Sequence, residues 1–273
     1  VNFGADVRFR TGRETLRYQG DGTATPFFDS IETDKFVATS WVGLPNDEED
    51  LFVGSIAARI DRTLSEAADR PPQAYENTLG LFAGIASVRR RFARRDGYEF
   101  SGERFVPTGG TGRVTVGTFL PVADGQDDLL YIGAEARESF LWDEVFFLHA
   151  SIEAGTGIRD KEAEMTLVRG RASWGTPLGP GHLAGIGLAQ VVWRWPRYLF
   201  NPATRGVSGL RGYSDLDLFG DNRIVLNNEY RLFPLVDVAL WQAGITLFHD
   251  MAGVWNQATE LSTVRLKVGC STS

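Results

Sequence analysis

Residues 129–137 read LLYIGAEAR, and residues 145–155 read VFFLHASIEAG. In the first stretch Leu130, Ile132, Ala134 and Ala136 alternate with Tyr131, Glu135 and Arg137. In the second, Phe146, Leu148, Ala150, Ile152 and Ala154 alternate with His149, Ser151 and Glu153. Successive side chains of a β-strand point to opposite faces, so this period of two predicts two strands, each with one apolar and one charged face.

The same pattern recurs along the chain about every 15 residues. Val1, Phe3, Ala5, Val7 and Phe9 oppose Asn2, Asp6, Arg8 and Arg10. Phe52, Ile56, Ala58 and Ile60 oppose Ser55, Arg59 and Asp61. Val168, Ala172 and Trp174 oppose Arg169 and Arg171, and Val264, Leu266 and Val268 oppose Thr263, Arg265 and Lys267. Further candidates lie at 35–43, 78–92, 97–106, 112–121, 182–195, 223–232 and 238–250, about thirteen strands in all. Turn-rich stretches separate them, among them DRPPQ (69–73), PTGGTG (107–112), ADGQDD (123–128) and GTPLGPG (175–181). The whole of 1–273 reads as one all-β domain.

A soluble sandwich also turns polar faces outward. Here the predicted strands run about 9–12 residues, the length that crosses a bilayer when tilted, where soluble strands are nearer 5–6. Trp142, Trp174, Trp193, Trp195, Trp241 and Trp255 sit near the ends of apolar faces, where a membrane barrel carries its aromatic girdle. No stretch approaches the roughly 20 apolar residues of a transmembrane helix. The slightly negative mean hydropathy fits a barrel, whose lipid-facing and lumen-facing residues alternate. The alternative is a soluble β-protein that binds a ligand, with these tryptophans in its core.

The net charge of −7 argues against nucleic acid as a partner. One cysteine, Cys270, allows no disulfide within the chain and no multi-cysteine metal site. His149, His182 and His249 have no metal-ligand spacing, so neither a metal nor a cofactor is expected. Gly206-Val207-Ser208-Gly209 has Leu210 where a nucleophile elbow needs its last glycine, and PTGGTG lacks the Lys-Ser/Thr of a phosphate loop. His249 and Asp250 are adjacent on a strand and point to opposite faces. No catalytic residue is assigned, and an enzyme is not expected. The basic run RRRFARR (89–95) is read as solvated charge with no ligand.

From about residue 182 three elements resemble the BamA-like outer-membrane barrel family, the bacterial surface antigens that assemble barrels or secrete proteins. The first is Leu210-Arg211-Gly212-Tyr213, like the tip of the family's long loop. The second, Gly220, Asn222, Asn227, Glu229, Tyr230 and Arg231, resembles its Gly-x-Asn…Asn-x-Glu-Tyr-Arg strand. The third, Phe248-His249-Asp250-Met251-Ala252-Gly253, resembles its Phe-x-Asp-x-Gly strand end, with one extra residue before the glycine. The first 180 residues share only the general strand pattern.

The resemblance implies a sixteen-stranded transmembrane antiparallel barrel integral to a bacterial-type outer membrane. It implies the lipid bilayer, client proteins and periplasmic repeat domains as partners, and a role in inserting outer-membrane proteins or translocating proteins. A passive pore, or a membrane anchor for an attached enzyme such as a patatin-like lipase, is the alternative. Residues 196–222 are then a lumenal loop. Glu229 and Asp250 fall on the polar faces of adjacent strands, so Arg211 folded back between them makes a latch suited to its planar fork. Gly212 lets the backbone pass close to the wall, and Tyr213 packs inside. The chain ends VRLKVGCSTS; its segment 262–269 resembles the family's third-last strand and the last two strands are missing, so the sheet is expected to be open, or closed by pairing 1–10 with 262–269. The chain starts at Val1 with no leader pattern, and is read as a fragment or a processed protein.

Overall fold

The computed structural model describes residues 2–18, 27–46, 50–63, 78–95, 104–121, 128–194, 222–238, 241–255 and 267–272. It is all-β and antiparallel. The strands are β1 (Asn2–Tyr18), β2 (Phe27–Pro45), β3 (Asp50–Thr63), β4 (Thr78–Arg89), β5 (Arg91–Arg95), β6 (Arg104–Pro121), β7 (Leu129–Trp142), β8 (Phe146–Arg159), β9 (Glu162–Leu178), β10 (Gly181–Trp193), β11 (Asn222–Val238), β12 (Trp241–Trp255) and β13 (Lys267–Thr272). They form one sheet in the order β1-β2-β3-β4-β6-β7-β8-β9-β10-β11-β12-β13, with β5 paired to β6. Apart from the short β5, each strand therefore pairs with its neighbours in the chain, an up-and-down meander. Among the described residues β1 pairs only with β2 and β13 only with β12.

The register keeps one face apolar across the sheet. Phe3 pairs with Val42, Val42 with Gly54, Gly54 with Ile85 and Ile85 with Val114. The row continues through Ala134, Ala154, Val168 and Val191. Nine strands thus place nothing but apolar residues side by side. This face is the exposed one: Phe3 is 85% exposed, Ile56 66% and Ile152 57%. Trp142, Trp174, Trp193 and Trp255 share it by register, as the aromatic pattern predicts. Phe140 stacks on Trp142 at 5.2 Å and Trp142 meets Phe146 at 5.6 Å, so rings cap the β7–β8 hairpin. Tyr230 donates its hydroxyl to the Leu178 carbonyl at 2.9 Å beside the β9–β10 turn. Trp195 and the side chain of Trp241 lie outside the described residues.

Three differences from the sequence reading have local causes. PTGGTG is not a turn; it lies inside β6. Gly109 adopts φ 109° there, which bends the strand, yet Val88 still pairs with Thr111 and Arg91 with Thr108. Glycine in a strand marks a bend here, not its end. The strand read at 78–92 is therefore β4 plus β5, broken at Arg90; of the strand read at 97–106 the part 104–106 merges with 112–121 into β6, and 97–103 lie outside the described residues. Most strands are also longer than expected, because polar residues continue the ladders beyond the apolar centre: β2 extends over 19 residues.

The connections differ at the two ends of the sheet. At one end lie 46–49, 143–145, 179–180 and 239–240, with 96–103 the longer exception. At the other lie 19–26, 64–77, 122–128, 194–221 and 256–266, with the tight turn at Asp160-Lys161 the exception. Both residues of that turn have positive φ, the twist that suits a two-residue hairpin.

Candidate functional site

The chemistry-bearing side chains gather on the polar face. One transverse row runs through Arg113, Glu135, Glu153, Arg169, Gln190 and Arg223, each opposite the next on β6 to β11. Cross-strand neighbours stand close enough to bond. Arg113 Nη2 donates to Glu135 Oε2 at 2.8 Å, and Arg137 bonds the other oxygen of the same carboxylate. Arg169 Nη1 reaches Glu153 Oε2 at 3.4 Å and its Nε donates to Gln190 Oε1 at 3.3 Å. Arg223 Nη2 donates to the same oxygen at 3.0 Å. Glu135 and Glu153 lie directly opposite one another, and the arginines on either side offset their repulsion. Gln190 is fully buried, and its amide nitrogen has no hydrogen-bond partner among the described residues.

Beside this ladder the polar face of β4–β8 is aromatic. Phe82, Phe119 and Tyr131 meet edge to face at centroid distances of 5.1, 6.1 and 6.4 Å. Gly80, Gly117, Gly133 and Gly155 lie under these rings; a Cβ on Gly155 would stand 2.6 Å from the Tyr131 hydroxyl oxygen. Ser55, Arg59, Thr115, Tyr131, Glu135 and Glu153 border a cleft of about 440 Å³ on this face. Ser139 Oγ and His149 Nδ1 share a hydrogen bond of 2.7 Å nearby.

The predicted latch partners come together on β11 and β12. Asn227 pairs with Asp250 and Glu229 with Phe248, so all four share the polar face. Asp250 is 1% exposed and accepts a hydrogen bond from Asn227 Nδ2 at 2.8 Å. Glu229 Oε2 accepts from Arg231 Nε at 2.8 Å and Nη2 at 2.5 Å. Asn222 Oδ1 accepts the backbone N–H of Val192 at 2.8 Å. It ties the start of β11 to the end of β10, the two strands that flank 194–221. Leu210, Arg211, Gly212, Tyr213 and Gly220 lie outside the described residues. His249 stands opposite Asn228 on the apolar face, away from Asp250.

Sequence reading placed Glu135, Arg137, Glu153, Arg169 and Arg171 on polar faces but did not pair them, and it missed Gln190. The missing signal is register, which sets who faces whom. Chemically the row can hold water and charged groups of either sign. Among the described residues no group of three or more His, Cys, Asp or Glu could hold a metal ion. In comparisons with known proteins, no family model and no curated protein matches the chain.

Proposed function

We propose that the chain forms the wall of an outer-membrane β-barrel of the BamA-like type, serving the insertion of outer-membrane proteins or the passage of proteins across that membrane. One observation carries the membrane part of this reading: large apolar side chains are exposed along the sheet, while Gln190, Asn222 and Asp250 are buried. A water-soluble sheet gains by the reverse arrangement. Lipid favours this one, since a closed barrel satisfies its backbone and turns its apolar face outward. Short connections at one end and long ones at the other fit the two sides of such a membrane.

The protein-handling part rests on the resemblance around Arg211 and on the charged row, which suits a hydrated lumen. In this reading 196–221 folds inward, Asn222 belonging to β11 rather than to the loop, and Arg211 bridges Glu229 and Asp250. Arg211 would add a charge-assisted contact to a carboxylate that is 1% exposed and already bonded to Asn227.

Two experiments test the reading. In a Cys270→Ser background, Ile152→Cys and Glu153→Cys are labelled with a fluorophore in liposomes. A lipid-confined quencher should quench position 152 and spare 153, and equal quenching overturns the membrane wall. Removing the gene in its native cell should lower the steady-state levels of other outer-membrane β-proteins or secreted clients. Unchanged levels, with ion conductance from the protein in liposomes, identify a passive pore instead.

A further inference from the structure

Among the described residues a carboxylate stands inside the apolar belt of β7. Glu138 lies between Ala136 and Phe140 on β7, and it has no hydrogen-bond or ion-pair partner among the described residues. It borders a groove of about 460 Å³ with Ser87, Arg89, Gly112, Ala136 and Ala150. Ser87 pairs with Gly112, Gly112 with Ala136, and Glu138 with both Gly110 and Ala150, so small residues on four adjacent strands make the floor. Arg89 ends β4 on the same face. It uses Nε for Asp50 at 3.3 Å and leaves its two Nη groups without a partner among the described residues.

A carboxylate facing hydrocarbon is costly and is kept where it has work to do. We propose that this groove seats one phospholipid with a zwitterionic, primary-ammonium head group, a proposal that rests on the membrane reading above. The phosphate takes the Arg89 Nη donors, and the ammonium donates to Glu138. One acyl chain lies over Gly112, Ala136 and Ala150. The two charges have opposite signs and stand on opposite sides of Gly110, which matches a dipolar head group and disfavours a purely anionic one.

The test is native mass spectrometry of the full chain in mild detergent, with phosphatidylethanolamine, phosphatidylglycerol or phosphatidylcholine added separately. Phosphatidylethanolamine should give a one-lipid adduct at the lowest lipid concentration, and Glu138→Gln should weaken it about tenfold, the scale of one charge-assisted hydrogen bond. Glu138→Gln should also bring phosphatidylglycerol level with phosphatidylethanolamine. Gly112→Leu keeps both charges and fills the groove; a Cβ there meets nothing within 4 Å, so the variant folds and should lose the adduct. Equal adducts across the three lipids, or adducts unaffected by both substitutions, overturn the proposal. Detergent dependence and heat-modifiable gel migration are recorded on the same samples. A protein that passes those two checks and shows no lipid preference refutes the lipid seat alone; one that stays monodisperse without detergent refutes the membrane reading with it.

Discussion

The polar face is filled in two different ways. Between β4 and β8 it holds rings: Phe82, Phe119 and Tyr131 lie over glycines, and the glycines make the room. Between β9 and β12 it holds Gln190, Asn227 and Asp250, which fill the space with polar atoms that need named partners. The two regions share one sheet and one alternation of side chains. They differ in what a mistake costs. A ring over glycine tolerates a changed ring but not a new Cβ beneath it. A buried carboxylate or amide tolerates little change in shape or partner, because an orphaned polar group keeps its desolvation penalty.

The largest effect expected from this contrast is at Gly117. A Cβ there would lie 2.5 Å from the Leu81 carbonyl oxygen, which the ladder holds fixed, and against the Phe82 ring. Overpacking alone costs about 1–3 kcal/mol, and a backbone clash exceeds it. Gly117→Val should therefore abolish the folded state, read as loss of the β-sheet circular dichroism signal, whereas Phe82→Leu should keep it. A folded Gly117→Val protein would break the account of the ring region.

Next comes Asp250. Asp250→Ala and Asn227→Ala should each destabilise by about 1–3 kcal/mol, the cost of stranding a buried polar partner. The double variant should cost less than their sum, since both break one contact. Denaturant titration of the four proteins measures the difference, and strict additivity would separate the two residues.

Gln190 sharpens the comparison in the opposite direction. Its oxygen already accepts from Arg169 and Arg223 while its buried nitrogen has no partner among the described residues. Gln190→Glu replaces that nitrogen with a second acceptor between two guanidinium groups and should raise stability by about 1 kcal/mol, seen as a higher Tm. Gln190→Leu should lower it. The smallest effect is at Glu135, whose partners Arg113 and Arg137 are more than half exposed. Glu135→Gln should cost less than about 1 kcal/mol and nothing measurable in high salt.

What the sequence made legible follows from the same physics. Alternation identified the apolar residues of β7 and β8 correctly, because period two needs no partner strand to be seen. It also put Asp250 and Glu229 on one face and His249 on the other, as the register shows. Who faces whom was readable only in principle. Glu135 opposes Glu153 because the 143–145 turn is short, and Arg169 opposes Gln190 because the 179–180 turn is. Shifting either turn by one residue would move every pair, and GTPLGPG offers several places for it. The glycines of PTGGTG carried the wrong signal, since a bend inside a strand and a turn between strands use the same residue. The ring cluster was hidden for another reason: Phe82 looks like one more apolar residue until register sets it among Gly117, Phe119 and Tyr131.

The meander also determines how the sheet comes apart. Among the described residues substantial contacts join each strand only to those beside it in the sheet. The sheet is thus quasi-one-dimensional, its stability close to a sum of nearest-neighbour terms, as in repeat proteins. Pulled by its two ends in a single-molecule force experiment, the chain should yield in discrete hairpin-length steps rather than in one cooperative rupture. Peeling that starts from β1 should reach the rings of β4 to β8 before the buried carboxylate of β12, and the order should reverse when it starts from β13.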